Sequence, residues 1–336
     1  MIELVTGAQW VPARRGGLLA WGLLALAACA GEPAGLEIRL AHSASPRSLI
    51  ALSAEEFARR ANERLGSRAR VVVYGSAQLG SDEVVLSKLK LGTVDIGLNS
   101  TVMESVVDEF ALFEMPYLVQ DREHMLRIEH EVFWPSLAPR AEAAGYEILA
   151  LWENGFRHIT NNTRAIVTPR DLEGIKLRTP SSPWRLKLFR RFGANPAPLP
   201  FTDLFLALQT GLMDGQENPL SNVVTAKLDE VQTFLSLTGH VYSPAYVTVG
   251  AESWAALPEG VRTILEETAR ETQQFALATG ERLDTAFLDQ LRESGMVVNE
   301  ADRASFARAS ESMYEEFGAA VPDGRALIEA ALALAR

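Results

Sequence analysis

Ala207-Leu208-Gln209-Thr210-Gly211-Leu212-Met213-Asp214-Gly215-Gln216-Glu217-Asn218-Pro219 carries a helix into a strand or turn through two glycines. The helix begins at Pro200-Phe201-Thr202-Asp203 and stops at Gly211. Three phrases precede it in fixed order. They are Asn154-Gly155-Phe156-Arg157-His158, Gly174-Ile175-Lys176-Leu177-Arg178-Thr179-Pro180, and Gly193-Ala194-Asn195-Pro196-Ala197-Pro198-Leu199-Pro200-Phe201. Gly174 to Arg178 reads as a turn and a short strand, so Arg178 falls at a strand end before Thr179-Pro180. Ser181 to Phe192 reads as a helix with Trp184, Leu188 and Phe192 on one face, closed by Gly193. A guanidinium presents paired donors in a planar fork, the complement of a carboxylate, so these phrases read as walls of an anion pocket.

Upstream, Leu36 to Ala41 alternates apolar and polar as a strand does, and Ser48 to Leu65 carries apolar residues at helical spacing up to Gly66. Arg70 to Tyr74 is a β-branched strand. Ser81 opens a helix to Leu91 with Asp82 and Glu83 in its first turn, and Val94 to Leu98 is a buried strand. Strand, helix, strand, helix, strand predicts a parallel α/β sheet. Loops after its strand ends, at Ser43 and at Asn99 to Thr101, then face a ligand crevice. Asp121 to Ala144 reads as a helix broken near Pro135 and Pro139, and Tyr146 to Trp152 as a strand leading into the first phrase. Downstream, Val241 to Val249 returns as a strand. Pro258 to Ser294 reads as one helix about 50 Å long, or as two broken near Gly280. Met296 to Asn299 is a short strand, followed by terminal helix interrupted at Pro322-Asp323-Gly324.

At the other end, Arg14-Arg15 precedes the uncharged run Leu18 to Ala28, too short for a membrane span and of the length of a signal h-region. The run closes on Leu26-Ala27-Ala28-Cys29, which resembles the bacterial lipoprotein signal, in which the cysteine is lipidated; the alternative is ordinary cleavage at Ala28-Cys29-Ala30. Residues 1–29 are therefore expected to be a signal peptide and 30–35 a tether. Cys29 is the only cysteine among 336 residues, which excludes an intrachain disulfide and a cysteine-rich zinc site. A net charge of −11 argues against nucleic acid, whose phosphates need basic patches, but not against a small anion held by one or two buried arginines.

The four phrases, the Thr238-Gly239-His240 that follows and, more loosely, Gln78-Leu79-Gly80 resemble the extracytoplasmic solute receptors of tripartite ATP-independent periplasmic (TRAP) transporters, the dicarboxylate-receptor family. The resemblance covers roughly residues 36 to 320. It implies an α/β, two-lobed periplasmic binding protein with a hinge cleft and a long helix spanning both lobes. Lobe I would comprise 36–154 plus about 243–280, and lobe II 155–242 plus about 281–336. It implies that Arg178 pairs side-on with a ligand carboxylate, that Arg157 lies near it, that Asn218 hydrogen-bonds it, that Phe201 packs on the ligand and that Ser43 is a polar contact. Ser100 and Trp184 complete the candidate wall. Relatives that bind sialic acid carry an acid and an arginine where this chain has Ser100 and Met103, which disfavours that ligand. A branch that uses a cation has Glu-Trp where this chain has Glu217-Asn218, so no metal or other cofactor is expected. Gln216 and Glu217 are assigned structural hydrogen bonds.

The expected function is capture of a small carboxylate and its delivery to TRAP membrane subunits, in the periplasm and tethered by lipid if Cys29 is modified. Two alternatives stay open on the sequence: a sensing subunit for a membrane receptor, and a periplasmic enzyme acting on a carboxylic acid. His158 and His240 have no evident carboxylate partner in the sequence, and no phosphate loop or nucleophile elbow occurs, which weighs against catalysis.

Overall fold

The computed structural model describes residues 35–335; the expected signal peptide, most of the expected tether and Cys29 lie outside them. β1 (Leu36–Ala41), β2 (Ala69–Tyr74) and β3 (Ile96–Asn99) are parallel, with β1 between the other two. β4 (Tyr146–Asn161), β5 (Lys176–Thr179), β6 (Asn195–Pro198), β7 (Gly215–Pro219), β8 (Phe234–Leu237), β9 (Tyr242–Gly250) and β10 (Val297–Glu300) complete one sheet. Its order is β2-β1-β3-β9-β4-β7-β5-β6, with β8 pairing both β4 and β10. β9 is antiparallel to β3 and β4, and β4 is antiparallel to β7 and β8. The helix Leu49–Leu65, capped by Ser48, covers β1 and β2 through Phe57 and Leu65.

The two lobes share β4. Its first half pairs β9; its second half pairs β7 and β8, with Arg157 opposite Pro219 and Ile159 opposite Glu217. Residues 152–160 thus continue the strand instead of leading out of it. The register slips between Glu153 and Gly155, where Gly155 takes φ +119°, and such a bulge bends a strand. The bend falls between the part of β4 that pairs β9 and the part that pairs β7 and β8.

Several elements depart from the sequence reading for local reasons. The stretch 122–143 stays helical across both prolines: Pro135 lies in a π-helical segment, Glu129–Leu137, and Pro139 falls in the first turn of the helix Ala138–Ala143, where its missing N–H needs no intrahelical partner. β6 is Asn-Pro-Ala-Pro at the sheet edge, where prolines are tolerated because the missing N–H groups would face away from the sheet. The terminal helix Gly324–Ala333 packs on the helix Arg122–Ile128, where His124 Nε2 meets the Ala331 carbonyl at 2.9 Å and Arg127 Nε donates to the Leu334 carbonyl at 2.9 Å.

The helix Glu259–Glu293 runs 35 residues without interruption. Gly280 lies within it because the helix touches the hinge there. A Cβ at this position would come within 2.8 Å of Glu153 Oε1, and Glu153 is buried against Arg122 (2.6 Å), which also binds Asp284 of the same helix (2.5 Å). Burial pushes the Glu153 carboxyl up to about 7, with Arg122 opposing.

A buried chain of charges joins the lobes beside this hinge. Arg185, on the helix Pro183–Arg191 and fully buried, donates to Glu217 Oε2 on β7 at 2.5 Å and forms an ion pair with Glu114 Oε2 at 2.6 Å. Next to Glu114 sits Glu104, whose two oxygens are buried and find no partner among the described residues. Burial first, and then the neighbouring Glu114 charge, hold the Glu104 carboxyl well above the usual range.

Two outcomes are expected. Gly→Ala inside a helix normally gains up to about 1 kcal/mol, but overpacking costs about 1–3 kcal/mol. Gly280→Ala should therefore lower the melting temperature, and a rise would refute the contact. Glu104 keeps its proton when folded but loses it above about pH 4.3 when unfolded. The folded state then binds more protons than the unfolded one, so this group costs stability increasingly as pH rises towards its folded pKa. Glu104→Gln should gain stability relative to wild type progressively from pH 5 to pH 8 in thermal melts, and a difference independent of pH would contradict the assignment.

Candidate functional site

Six of the seven sequence-assigned wall residues line one cavity of about 60 Å³. Ser43 and Ser100 come from the ends of β1 and β3, Arg157 from β4, Arg178 from β5, Phe201 from the turn after β6 and Asn218 from β7. Parallel β1 and β3 deliver their ends to one edge, and the antiparallel pairing of β4 with β7 sets Asn218 beside Arg157.

Arg178 lies between β6 and β7 and is 3% exposed. Its Nε and Nη2 both donate to the Leu199 carbonyl, at 2.8 and 2.5 Å. That bidentate grip fixes the guanidinium plane. Among the described residues no carboxylate lies within ion-pair distance of it, and Nη1 makes no hydrogen bond. Burial pushes its pKa down to about 10; Glu217 opposes this and Arg157 adds to it. A buried cation without an adjacent anion carries a desolvation cost that an incoming anion can offset.

Arg157 differs. Its Nε donates to Glu217 Oε2 at 2.6 Å, and its Nη2 reaches Glu217 Oε1 (3.0 Å), the Glu217 carbonyl (2.7 Å) and Asn218 Oδ1 (3.1 Å). Its charge is therefore largely matched within the protein. Burial alone would raise the Glu217 carboxyl, but Arg157 and Arg185 hold it well below the usual range. Glu217 is thus the centre of an ion cluster, more than the hydrogen-bonding residue expected.

The amides form a relay over the cleft. Ser100 Oγ donates to the Pro244 carbonyl at 2.7 Å and accepts from Asn154 Nδ2 at 3.3 Å. Asn222 Nδ2 reaches Asn154 Oδ1 (3.4 Å) and Asn218 Oδ1 (3.2 Å), and Asn218 Nδ2 donates to Gln216 Oε1 (2.5 Å). Asn218 is oriented from both sides. Ile50, Leu98, Val102, Pro180 and Phe201 supply the apolar wall.

Trp184 does not line this cavity. Its ring packs on Phe317 of the terminal helices at 5.5 Å, with Lys187 Nζ 4.9 Å above it, because the helix Pro183–Arg191 turns Arg185 rather than Trp184 toward Glu217. His240 also departs from expectation, since its Nε2 lies 3.0 Å from Glu217 Oε2. Burial nevertheless pushes His240 down to about 4 and His158 to about 3, so both are neutral at pH 7. Met103 is buried in the core.

Two polar cavity residues, Asp82 and Asn222, escaped the sequence reading, whereas Thr101 and Asn154 stand in segments that it set at the crevice without singling them out. Asp82 reads from sequence as an ordinary acid of a helix first turn, and only the fold brings that turn to the cleft. Asn154 stands in the first phrase, where its neighbour Arg157 draws the attention. Burial pushes Asp82 up to about 6.

Among the described residues no helix is long and apolar enough to cross a membrane. Residues 40–320 match the family model of bacterial extracellular solute-binding protein family 7. A solute-binding protein of Verminephrobacter eiseniae is 33% identical over 282 residues, 83% of this chain and 84% of that protein. The crystal structure of a TRAP periplasmic solute-binding protein from Bordetella bronchispeptica, with density interpreted as pantoate, superposes with a TM-score of 0.85 at 32% identity, covering 90% of this chain and 100% of that one. A TRAP periplasmic solute-binding protein from Sulfurospirillum deleyianum with bound succinate gives 0.86 at 29% identity, with the same coverage. The two-lobed α/β architecture and the matched length together show that the chain belongs to bacterial extracellular solute-binding protein family 7, the periplasmic receptors of TRAP transporters.

Proposed function

We propose that the cleft captures one small organic acid by seating its carboxylate on Arg178. The supporting observation is a buried guanidinium with its plane fixed by Leu199 and, among the described residues, no carboxylate within ion-pair distance. Arg157 and Asn218, oriented by Glu217 and Gln216, flank that position, Phe201 covers the apolar part of the ligand, and Ser43 and Ser100 meet it from the first lobe. Relatives described with pantoate and with succinate are consistent with an acid of this size class.

Lobe I, 36–154 with about 243–280, and lobe II, 155–242 with about 281–336, close over the acid by bending at the bulge of β4. Closure excludes water and strengthens the charge pair. The closed form is then the one that TRAP membrane subunits recognise, a ligand-driven population shift. No bond of the ligand is made or broken: His158 and His240 are neutral, and Glu217 is held ionised by two arginines. A lipid on Cys29 keeps the receptor at the membrane.

Truncating one partner of a buried charge pair costs roughly 2–5 kcal/mol. Arg178→Ala should therefore weaken acid binding by roughly 30-fold or more in isothermal titration, with the melting temperature of the unliganded protein nearly kept. Arg178→Lys should not restore it, because an ammonium cannot both hold the Leu199 carbonyl in two bonds and face a carboxylate. Unchanged affinity in Arg178→Ala would end this reading.

A further inference from the structure

A second cavity, of about 430 Å³, is lined by the second half of β4, the end of β8 and the stretch after it, the helix Glu259–Glu293 and the end of β10. Small-molecule sites span about 300–1,000 Å³, and this cavity shares no lining residue with the acid cleft. Successive side chains of a strand point to opposite faces, so Phe156 and His158 turn away from the cleft that Arg157 lines. Phe156, Leu220, Leu237 and Leu288 form its apolar lining.

Its polar end is built on Gly239. The Gly239 N–H donates to His158 Nδ1 at 3.1 Å. His158 is neutral at pH 7, so its single ring proton sits on Nε2, which has no hydrogen-bond partner among the described residues. Gly239 also seats Arg303: a Cβ at this glycine would come within 3.3 Å of the guanidinium, which stands 5.8 Å from the centre of the Tyr117 ring. Two donors thus flank one glycine, and acapture of the carboxylate in the other cleft uses neither.

The charges decide what can occupy the cavity. Asp284 is paired with Arg122, and Asp289 with Arg292 at 3.3 Å. Arg303 and Glu300 also line the cavity, and neither forms an ion pair among the described residues. A bare anion would meet the Glu300 carboxylate, and a bare cation would meet Arg303. A molecule carrying both charges is complementary to both. The apolar lining calls for an apolar body on the same molecule.

We propose that this cavity is a second ligand site, for a zwitterionic α-amino acid with an apolar side chain. Its carboxylate accepts from Arg303 and His158 Nε2, its ammonium donates to Glu300, and its side chain packs on Phe156, Leu220, Leu237 and Leu288. The site lies beside the bend of β4: Phe156 and His158 follow the slip at Glu153–Gly155, and Asp284 reaches Glu153 through Arg122. An occupant therefore ties β4 beyond its bend to the long helix.

The test is isothermal titration with leucine and phenylalanine, and with 4-methylpentanoate, isopentylamine and glycine as probes lacking the ammonium, the carboxylate and the apolar body. The proteins are wild type, Arg178→Ala, which disables the acid cleft, and Arg303→Ala and Glu300→Gln in both backgrounds, with melting temperatures to check folding. Leucine or phenylalanine should bind wild type and Arg178→Ala alike. In Arg178→Ala the three partial probes should bind at least about tenfold more weakly than leucine. Arg303→Ala and Glu300→Gln should each weaken leucine at least about tenfold. Hydrogen exchange with leucine present should slow in 156–160 and 284–292. No binding of either amino acid to wild type would overturn the proposal, as would binding that neither Arg303→Ala nor Glu300→Gln moves. Leucine binding lost in Arg178→Ala would place leucine in the acid cleft, overturning the second site while supporting the carboxylate anchor. If 4-methylpentanoate bound Arg178→Ala as tightly as leucine does, the zwitterion assignment would fall.

Discussion

Of three buried guanidiniums near Glu217, only Arg157 and Arg185 form an ion pair among the described residues, and the arrangement of the cleft follows from that mismatch. Arg185 is held between Glu217 and Glu114, and Arg157 is held by Glu217. Arg178 is left with a backbone carbonyl for company. Carbonyl oxygens orient a guanidinium but do not neutralise it. Replacing such an ion cluster by apolar residues is often neutral or stabilising, whereas removing one member costs about 3–5 kcal/mol. The cluster is therefore better understood as a device that places charge than as a source of stability. Its cost is borne by an extensive apolar core that includes Phe57, Phe133, Phe189 and Phe306, all fully buried.

The same cluster ties the site to motion. Arg185 comes from one lobe and Glu114 from the other, while Arg157 and Glu217 pair across β4 and β7 at the cavity wall. The bulge at Glu153–Gly155 and the contact of Gly280 with Glu153 put the hinge, the long helix and the ion cluster in one small region. A carboxylate at Arg178 changes the charge balance of that region directly. Closure can thus respond to the ligand through a few buried groups without a distant relay.

Much of this was readable from the chain. Alternation in β1, the helical spacing of Leu49–Leu65 and the glycine stops at Gly66 and Gly193 are local signals, and the structure follows them. Arg178 was legible because its phrase is specific. What escaped depends on partners remote in sequence. Asp82 looks like any first-turn acid until β1 and β3 bring that turn to the cleft. Glu217 acquires its ion pairs only when β4 pairs β7, and the same pairing gives His240 its carboxylate. Trp184 shares a helix with Arg185, and spacing alone does not say which of the two faces the cleft. β6 hides behind two prolines that only an edge position tolerates.

The central claim is that a ligand carboxylate supplies the anion Arg178 lacks. A crystal structure of the protein with an acid chosen by thermal-shift screening tests it most directly. The account predicts a carboxylate oxygen within hydrogen-bond distance of Arg178 Nη1, with both bonds to the Leu199 carbonyl retained. An acid bound elsewhere, or one whose carboxylate turns away from Arg178, would contradict it.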